Sequence, residues 1–232
     1  MRVLILGGTK EAHELAVALH DAGIEATTSL AGRTPEPRIP PGDIHIGGFK
    51  RLDVTPFDAI VDATHPFATK ISAAAARTNL PLLRLERPGF EQEPGDNWRW
   101  VKDAREAAET LDSARAFLTI GHAATAFAET QAWCLIRAIT PPQPLPRRHE
   151  LLLERPPFTL EHELALMRRV DTLVTKDSGG DTTKLDAARQ LGVAVIVIQR
   201  PAKTTAVGTV DEAVAWLRTR ATAPPRPRTR AR

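Results

Sequence analysis

Short, continuous runs of apolar residues alternate along this chain with segments in which apolar residues recur every three or four positions. Val3–Leu6 is such a run and ends at two glycines, which is typical of a fully buried parallel strand. The segment Glu11–Ala22 has the helical spacing, and Gly23 follows it where a left-handed residue ends a helix. A strand followed directly by a helix predicts the first half of a βαβ unit.

The alternation continues through the chain and predicts an α/β fold. The further predicted strands are Ile24–Leu30, Ala59–Val61, Leu82–Leu85, Ala116–Ile120, Leu135–Ile139, Leu173–Thr175 and Val193–Ile198. The further predicted helices are Thr69–Arg77, Glu161–Arg169, Thr182–Leu191 and Asp211–Arg220. We therefore expect two Rossmann-like lobes with mostly parallel sheets flanked by helices, and a ligand cleft between the lobes.

The two halves of the chain resemble each other. Residues 58–88 and 171–201 are both 31 residues long, and seven of their paired positions are identical. Any two βαβ units share some composition, so the pairing favours a duplication only modestly. We predict a nucleotide-binding domain at residues 1–113, a second Rossmann-like domain contributing the substrate site at 114–221, and a disordered tail at 222–232.

Composition narrows the class of protein. The net charge is +3, but six arginines in the last fifteen residues carry the excess, so a general nucleic-acid-binding surface is not indicated. The single cysteine, Cys134, excludes an intramolecular disulfide framework and is expected in the core. Because no apolar run is long enough for a signal peptide or a membrane span, we expect a cytoplasmic protein without a membrane partner.

The turn after the first strand has the chemistry of a dinucleotide site. Gly7 and Gly8 allow backbone N–H groups to approach a diphosphate, the following helix directs its positive end there, and Thr9 could add a hydroxyl donor. The full G-x-G-x-x-G fingerprint is missing, and similar turns occur in doubly wound proteins that bind nothing there.

The end of the second strand indicates which dinucleotide. Ser29, Leu30, Ala31, Gly32 and Arg33 stand where NAD-binding units carry an acid for the ribose 2′-hydroxyl, and no acid lies between Ala26 and Pro35. A hydroxyl and a guanidinium suit the 2′-phosphate of NADPH. The alternative is that Arg33 is an exposed arginine in a solvated turn.

Other loops add candidate residues at strand ends. Thr64, His65 and Pro66 follow one buried strand, and the segment Lys176–Asp181 follows another with a charge and two glycines that suit a carboxylate or phosphate. His65 could equally be structural. The remaining candidates are Gly47, Gly48, Thr119, Gly121, Arg87 and Arg200.

Several chemistries are disfavoured. The seven histidines and one cysteine show no metal-ligand spacing, so we expect no metal site. The sequence has neither a P-loop nor a G-x-S-x-G elbow. It also contains no tyrosine, which excludes the Tyr general acid of typical short-chain dehydrogenases.

Together the motifs resemble those of the precorrin-6A reductase family of cobalamin biosynthesis. The resemblance covers the chain to about Leu217 and is carried by LGGT with EA (6–9, 11–12), SLAGR (29–33), IGGF (46–49), DATHPFA (62–68), RLERP (84–88), LTIG (118–121) and VTKDSGG (174–180). The departures are Asp177, where the family usually carries Asn, Lys50-Arg51 after the Gly47-Gly48 pair, and His122-Ala123 after Gly121.

The resemblance implies reduction by NADPH of one double bond in the macrocycle of precorrin-6A, which gives precorrin-6B. A polyacidic tetrapyrrole substrate would account for the arginines and for the Lys176 loop. The cofactor would contact Gly7–Thr9, Ser29–Arg33, Gly47, Gly48 and Thr64–Pro66, and the substrate would contact Thr119, Gly121, Lys176, Ser178–Gly180, Arg87 and Arg200. Lys176, Asp177, His65 or water would supply the proton.

Two other functions stay open on the residues alone. One is an NADPH-dependent reductase of a small carbonyl compound, and the other is a dinucleotide sensor without enzymatic activity. The sequence leaves the oligomeric state, the stereochemistry of transfer and the presence of cobalt in the substrate undetermined.

Overall fold

The chain forms two compact units, each built around a parallel sheet. The computed structural model describes residues 1–32, 39–49, 52–201 and 206–221, without the side chain of Ala221. One unit contains Met1–Pro88 and the chain from Pro201 onward, and the other contains Gly89–Arg200. Arg33 and the predicted disordered tail lie outside the described residues.

The first unit has six strands, all paired in parallel. They are β1 (Arg2–Leu6), β2 (Glu25–Leu30), β3 (Asp43–Ile46), β4 (Ala59–Asp62), β5 (Leu82–Leu85) and, late in the chain, β12 (Ala206–Val207). Their order is β12-β5-β4-β1-β2-β3. This is a doubly wound order, in which the direction of strand progression reverses beside β1. Ligands of such sheets bind at the carboxyl ends of the two strands that flank the reversal.

Both faces of the first sheet are buried, which explains the continuous apolar runs. Val3 and Ile5 pack on the side of α1 (Lys10–Asp21) and α6 (Val210–Ala221). Leu4 and Leu6 lie on the opposite side, with α2 (Thr69–Ala75). Because neighbouring residues of a strand point to opposite faces, a strand buried on both sides reads as a nearly continuous apolar run.

The second unit repeats this architecture. Its strands are β6 (Trp98–Val101), β7 (Arg115–Leu118), β8 (Trp133–Ala138), β9 (His149–Leu153), β10 (Thr172–Lys176) and β11 (Ala194–Ile198). They are parallel and ordered β6-β11-β10-β7-β8-β9. Its α-helices are α3 (Ala104–Glu109), α4 (Leu160–Met167) and α5 (Thr183–Leu191), and a 3-10 helix covers Gly121–Phe127. The expected α/β fold with two mostly parallel, helix-flanked sheets is confirmed.

The repeat has a structural counterpart at the start of each sheet. The carboxylate of Asp58 accepts a hydrogen bond from the backbone N–H of Arg2 at 2.8 Å, and the N–H of Asp58 donates to the carbonyl of Arg2 at 2.9 Å. Asp171 makes the same two bonds with Arg115, at 3.1 and 2.9 Å. Identical residues therefore fasten β1 to β4 and β7 to β10, which strengthens the case for a duplicated βαβ ancestor.

The two halves of the sequence exchange their last strand and helix, so each compact unit contains elements from both halves. Residues 1–113 end with β6 and α3, yet β6 pairs with β11 in the second sheet. The later half ends with β12 and α6, yet β12 pairs with β5 and α6 packs against α1 in the first unit. The compact units therefore change at Pro88/Gly89 and Arg200/Pro201, whereas the boundary expected at residue 113 separates the two sequence repeats.

Most predicted elements are present, and four strands, one α-helix and the 3-10 helix are additional in the described residues. The strand Leu82–Leu85 has the expected bounds, and the other predicted strands and helices differ at their ends by a few residues. The elements that the apolar pattern did not indicate are β3, β6, β9, β12, α3 and the 3-10 helix. Cys134 lies on β8 with no exposed surface, as expected of a core residue, and burial raises the pKa of its thiol to about 11.

Candidate functional site

The turn between β1 and α1 is shaped to bring backbone close to a ligand. The N–H of Gly7 donates to the carbonyl of Ser29 at 2.9 Å, which holds the turn against β2. A Cβ atom on Gly7 would lie 2.8 Å from Cγ2 of Thr28 and 3.2 Å from Cδ2 of Leu30, so only glycine fits without displacing them. Gly8 has a φ of 111°, a conformation that residues with side chains rarely adopt.

Thr9 has a different role from the one expected. Its hydroxyl donates to the carbonyl of Ala63 at 2.7 Å and accepts from the N–H of Ala12 at 3.1 Å, so it caps α1 and ties the turn to the end of β4. Its hydrogen is therefore already donated within the protein. The first N–H groups of a helix have no acceptor inside the helix, and those of α1 remain the donors that a phosphate would use.

Arg87 belongs to this turn rather than to the second unit. It donates to Oε1 of Glu11 at 3.0 Å, and Glu11 lies in the first turn of α1. The guanidinium thereby offsets the one carboxylate that stands beside the positive end of the helix. The motif resemblance placed Arg87 among the substrate-binding residues, most of which lie in the second lobe. Its position beside the cofactor candidates of the first unit does not support that role.

A buried charge network fixes the loop after β4. Asp62 is fully buried, and its Oδ1 accepts from the backbone N–H and the hydroxyl of Thr64 at 3.1 and 2.6 Å. Its Oδ2 accepts from Arg84 at 2.8 Å, and Arg84 also pairs with Glu86 at 2.9 Å. Thr64 is thus a structural residue of the loop. Asp62 and Arg84 belong to the DATHPFA and RLERP motifs, but sequence reasoning did not predict their ion pair, although an acid that ends an apolar strand is a signal of a buried partner.

His65 lies on the exposed side of the same loop. Its Nδ1 accepts a hydrogen bond from the N–H of Phe67 at 3.2 Å, and the two rings are 5.9 Å apart at a tilt of 50°. This contact orients the ring, with Pro66 between the two residues. The bond from Thr9 to Ala63 brings the loop beside the glycine turn, so the first unit assembles two of its predicted segments at one sheet edge.

The ends of β2 and β3 complete this edge. Gly47 donates its N–H to the carbonyl of Leu30 at 3.2 Å, which fastens the Gly47–Gly48 turn to the end of β2. Ala31 and Gly32 are exposed just beyond it. Ser29 is buried, and its hydroxyl has no hydrogen-bond partner within the described parts of the chain. The structure thus brings the described cofactor candidates together around the carboxyl ends of β1, β2 and β4.

The second unit has its own strand-end loops. Thr119 follows β7 and donates its hydroxyl and its N–H to the carbonyl of Val174, at 3.1 and 2.9 Å. Lys176 ends β10, and Ser178 donates its N–H to the carbonyl of Lys176 at 2.7 Å. Because Gly121 begins a 3-10 helix instead of an α-helix, this turn lacks the strong helix dipole that follows Gly8.

Lys176 is a partly buried cation. Burial in the protein disfavours its ammonium form and lowers its pKa below the usual value for lysine. A lysine in this state gives up its proton more readily than an exposed one. It is therefore suited to proton transfer as well as to binding an anion.

Both carboxylate oxygens of Asp177 accept hydrogen bonds within the protein. Its Oδ1 accepts from the N–H of Phe90 at 2.8 Å and from Arg200 at 3.1 Å, while its Oδ2 accepts from Arg200 at 2.9 Å. A Cβ atom on Gly89 would lie 2.9 Å from that Oδ2, so the backbone packs tightly against the carboxylate. Asp177 and Arg200 thus fasten the segment that enters the unit, and their predicted roles in catalysis and substrate binding gain no support from these contacts.

This pairing leads to a prediction for Asp177→Asn. The amide oxygen can still accept from Phe90, but the charge opposite Arg200 is lost, so we expect the free energy of unfolding to fall by about 2 kcal/mol. Turnover at saturating substrate should change little. Urea unfolding and steady-state kinetics would measure the two effects, and a large fall in turnover with unchanged stability would instead assign proton transfer to Asp177.

A buried arginine of β8 interacts with the Lys176 loop. Arg137, next to the last residue of β8, pairs with Glu163 at 2.7 Å and lies 3.8 Å from the ring centroid of Phe158. Burial raises the pKa of Asp181, but hydrogen bonds from Thr183 and the charges of Lys184 and Arg137 more than offset this and lower it. The loop that contains Gly179 and Gly180 is therefore followed directly by Asp181, which these hydrogen bonds and charges hold in place.

Comparisons with known proteins assign the chain to a family. The family described as precorrin-6x reductase CbiJ/CobK matches residues 2–218. A precorrin-6A reductase of Rhodococcus erythropolis is 50% identical, over 94% of this chain and 98% of that protein. The chain belongs to the precorrin-6x reductase family. A precorrin-6A reductase of Mycobacterium tuberculosis is 45% identical, over 93% of this chain and 97% of that protein.

A solved structure of the reductase family supports the same assignment. The protein titled CobK precorrin-6A reductase superposes with a TM-score of 0.84 and 36% identity, and the match covers 97% of this chain and 98% of that chain. The resemblance inferred from the motifs is confirmed. In the part of the chain that the structure describes, no helix is long and apolar enough to cross a membrane, and no cluster of His, Cys, Asp or Glu has the geometry of a metal site.

Proposed function

We propose that this protein reduces a double bond in the macrocycle of precorrin-6A with NADPH and releases precorrin-6B, as a step of cobalamin biosynthesis. The observation that carries the proposal is the Gly7 turn, where a Cβ atom would meet Thr28 at 2.8 Å, in a chain of the precorrin-6x reductase family. A turn closed to side chains beside a helix N-terminus is the feature that lets a protein backbone approach a diphosphate.

The residues of the first unit fit a dinucleotide. Gly8 and the first N–H groups of α1 offer donors to the diphosphate, Gly7 leaves room for its close approach, and Thr9 holds the turn in place through Ala63. Gly47 and Gly48 leave the end of β3 without side chains where an adenosine would approach. His65, at the end of β4, would lie towards the nicotinamide.

A preference for NADPH over NADH is the finer part of this proposal. It is supported by the absence of an acid between Ala26 and Pro35 and by the Ser29–Arg33 sequence. We expect Arg33→Ala to weaken NADPH binding selectively, because the guanidinium would pair with the 2′-phosphate, and to leave NADH binding little changed. Titration of the protein fluorescence with both cofactors measures this, and equal weakening of the two would exclude the role.

The second unit would bind the substrate. Thr119, Gly121, Lys176 and the Ser178–Gly180 loop lie at the carboxyl ends of its central strands, where a doubly wound sheet places its ligand. A polyacidic ring presents carboxylates, which a lysine and exposed loop N–H groups can bind.

Lys176 is the residue that we propose as proton donor. When bound, a reduced nicotinamide supplies the hydride, and the atom next to the site of hydride addition must then receive a proton. Asp177 accepts hydrogen bonds with both of its oxygens, whereas burial lowers the pKa of Lys176 and makes its proton easier to give. Lys176 also belongs to the substrate-binding loop, whereas His65 belongs to the proposed cofactor edge.

One assay tests the proposed reaction against its alternatives. The purified protein is mixed with NADPH and either precorrin-6A or a simple ketone, and the loss of reduced-nicotinamide absorbance is followed. We expect oxidation with precorrin-6A alone. Oxidation with the ketone would support a carbonyl reductase, and binding of NADPH without oxidation by either compound would support a sensor.

A further inference from the structure

Two polar side chains are paired in register at the carboxyl ends of β2 and β3. Ser29 of β2 stands opposite His45 of β3 in the parallel ladder, so both side chains point to the same face of the sheet. The carbonyl of Ser29 accepts the N–H of Gly7, which connects this pair directly to the glycine turn. The two residues therefore lie beside the proposed cofactor turn, one strand and two strands away from β1.

Neither polar group has a hydrogen-bond partner within the described residues. The Oγ of Ser29 and the Nε2 of His45 are buried atoms without a hydrogen bond to any residue that the structure describes. A buried polar group left in this state costs about 1–3 kcal/mol. Elsewhere at the same edge the hydroxyls of Thr9 and Thr64 are bonded within the protein, so hydroxyl groups at this edge are not unpartnered in general.

Other unpartnered atoms in this unit do not form such a pair. Oγ1 of Thr28 and Nδ1 of His13 are also buried without a partner in the described chain, but neither stands opposite a second such atom in the register. The strand ends beyond the Ser29–His45 pair open to solvent, because Gly32 and Gly47 are exposed and Ile46 is 59% exposed. The pair therefore lies next to an exposed stretch of the carboxyl edge of the sheet.

The chemistry of the pair suits an anion. A serine hydroxyl and an imidazole N–H are both donors, and no carboxylate lies in the described segment between Ala26 and Gly32. The end of β2 is where doubly wound dinucleotide-binding units contact the 2′ position of the adenosine ribose. Asp43, the acid of β3, lies at the opposite end of that strand.

We propose that His45 and Ser29 bind the 2′-phosphate of NADPH, which makes His45 a specificity-determining residue. This inference rests on the proposed NADPH-dependent function. The 2′-phosphate would provide charged oxygen acceptors for both unpartnered groups, whereas the 2′-hydroxyl of NADH is a single uncharged acceptor. The Ser29–Arg33 motif begins on β2, whereas His45 lies on the neighbouring strand β3. His45 would therefore distinguish the two cofactors although it lies outside that motif.

The test compares His45→Leu with the control His20→Leu, a change at an exposed histidine of α1 in the same unit. Dissociation constants are measured by calorimetry for NADPH, NADH, adenosine 2′,5′-bisphosphate and adenosine 5′-monophosphate. We expect His45→Leu to weaken the two ligands with a 2′-phosphate by about tenfold and to leave the other two unchanged. His45→Gln keeps an N–H donor and should recover part of the loss, and His20→Leu should have no effect.

The outcomes separate this inference from the proposed function. If the unmodified protein prefers NADPH and His45→Leu keeps that preference, the role of His45 is excluded and the proposed function stands. Equal weakening of all four ligands would assign a structural role to His45 and also overturn the inference. If the unmodified protein binds neither dinucleotide, the proposed cofactor site and the inference both fail.

Discussion

Gly7→Val is expected to abolish NADPH binding. A Cβ atom at position 7 already lies 2.8 Å from Cγ2 of Thr28 and 3.2 Å from Cδ2 of Leu30, and the branches of valine add two methyl groups to this contact. Thr28 is β-branched and has few alternative rotamers, so the turn itself must move. A displacement of the N–H groups that would face the diphosphate would cost several hydrogen bonds at once, and we expect an affinity loss of more than about a hundredfold.

Gly208→Ala is the control for this experiment. Gly208 belongs to the same unit, and its Cβ atom would meet nothing closer than Oε2 of Glu212 at 3.9 Å. Circular dichroism must show that Gly7→Val is folded, and Gly8→Ala provides a milder second variant because its effect is backbone strain at a φ of 111° without a collision. A folded Gly7→Val protein with undiminished NADPH affinity would show that the cofactor binds elsewhere.

Lys176→Met is expected to reduce turnover by about a hundredfold to ten-thousandfold, the usual contribution of a positioned general acid. Methionine keeps much of the volume of the side chain but has no proton to give. NADPH affinity should be unchanged, because Lys176 lies in the second unit at the end of β10. Single-turnover kinetics at saturating substrate would separate proton transfer from substrate binding.

The pH profile distinguishes a proton donor from a residue that only binds the substrate. Burial lowers the pKa of Lys176, so its ammonium form, which carries the proton, is lost at a lower pH than for an exposed lysine. Turnover should therefore decrease as the pH rises through that lowered pKa, and the decrease should be absent in Lys176→Met. Lys176→Arg keeps the charge but not a labile proton. If it restores full turnover, Lys176 only binds an anion.

The fold could be predicted from the sequence wherever an element is buried on both sides. The runs that became β1, β4 and β5 are buried on both faces and mostly apolar, and they were recognised. β6 and β9 were missed because they carry polar or half-exposed side chains, and β12 because it has two residues. β6 and β12 each pair with a strand that is distant in sequence, and local periodicity does not specify such pairings.

The candidate site, like the fold, could be predicted only in part from the sequence. The glycine turn and the loops after β4 and β10 were recognised because strand-end glycines and charges have a direct chemical meaning. The roles of Thr9, Asp177 and Arg200 were not, because hydrogen bonds to Ala63 and Phe90 depend on residues distant in sequence. His45 was not recognised for a related reason: its significance lies in a register with Ser29 that only the folded sheet establishes.

Transfer of deuterium tests the central claim most directly. NADPH carrying deuterium at C4 of the nicotinamide, on each face in turn, is incubated with the protein and precorrin-6A, and the product is examined by mass spectrometry. We predict that one of the two labelled cofactors gives a reduced ring that contains one deuterium, with none incorporated when Gly7→Val replaces the unmodified protein. Reduction of the ring without deuterium from either cofactor would contradict direct hydride transfer from a dinucleotide held at the Gly7 turn.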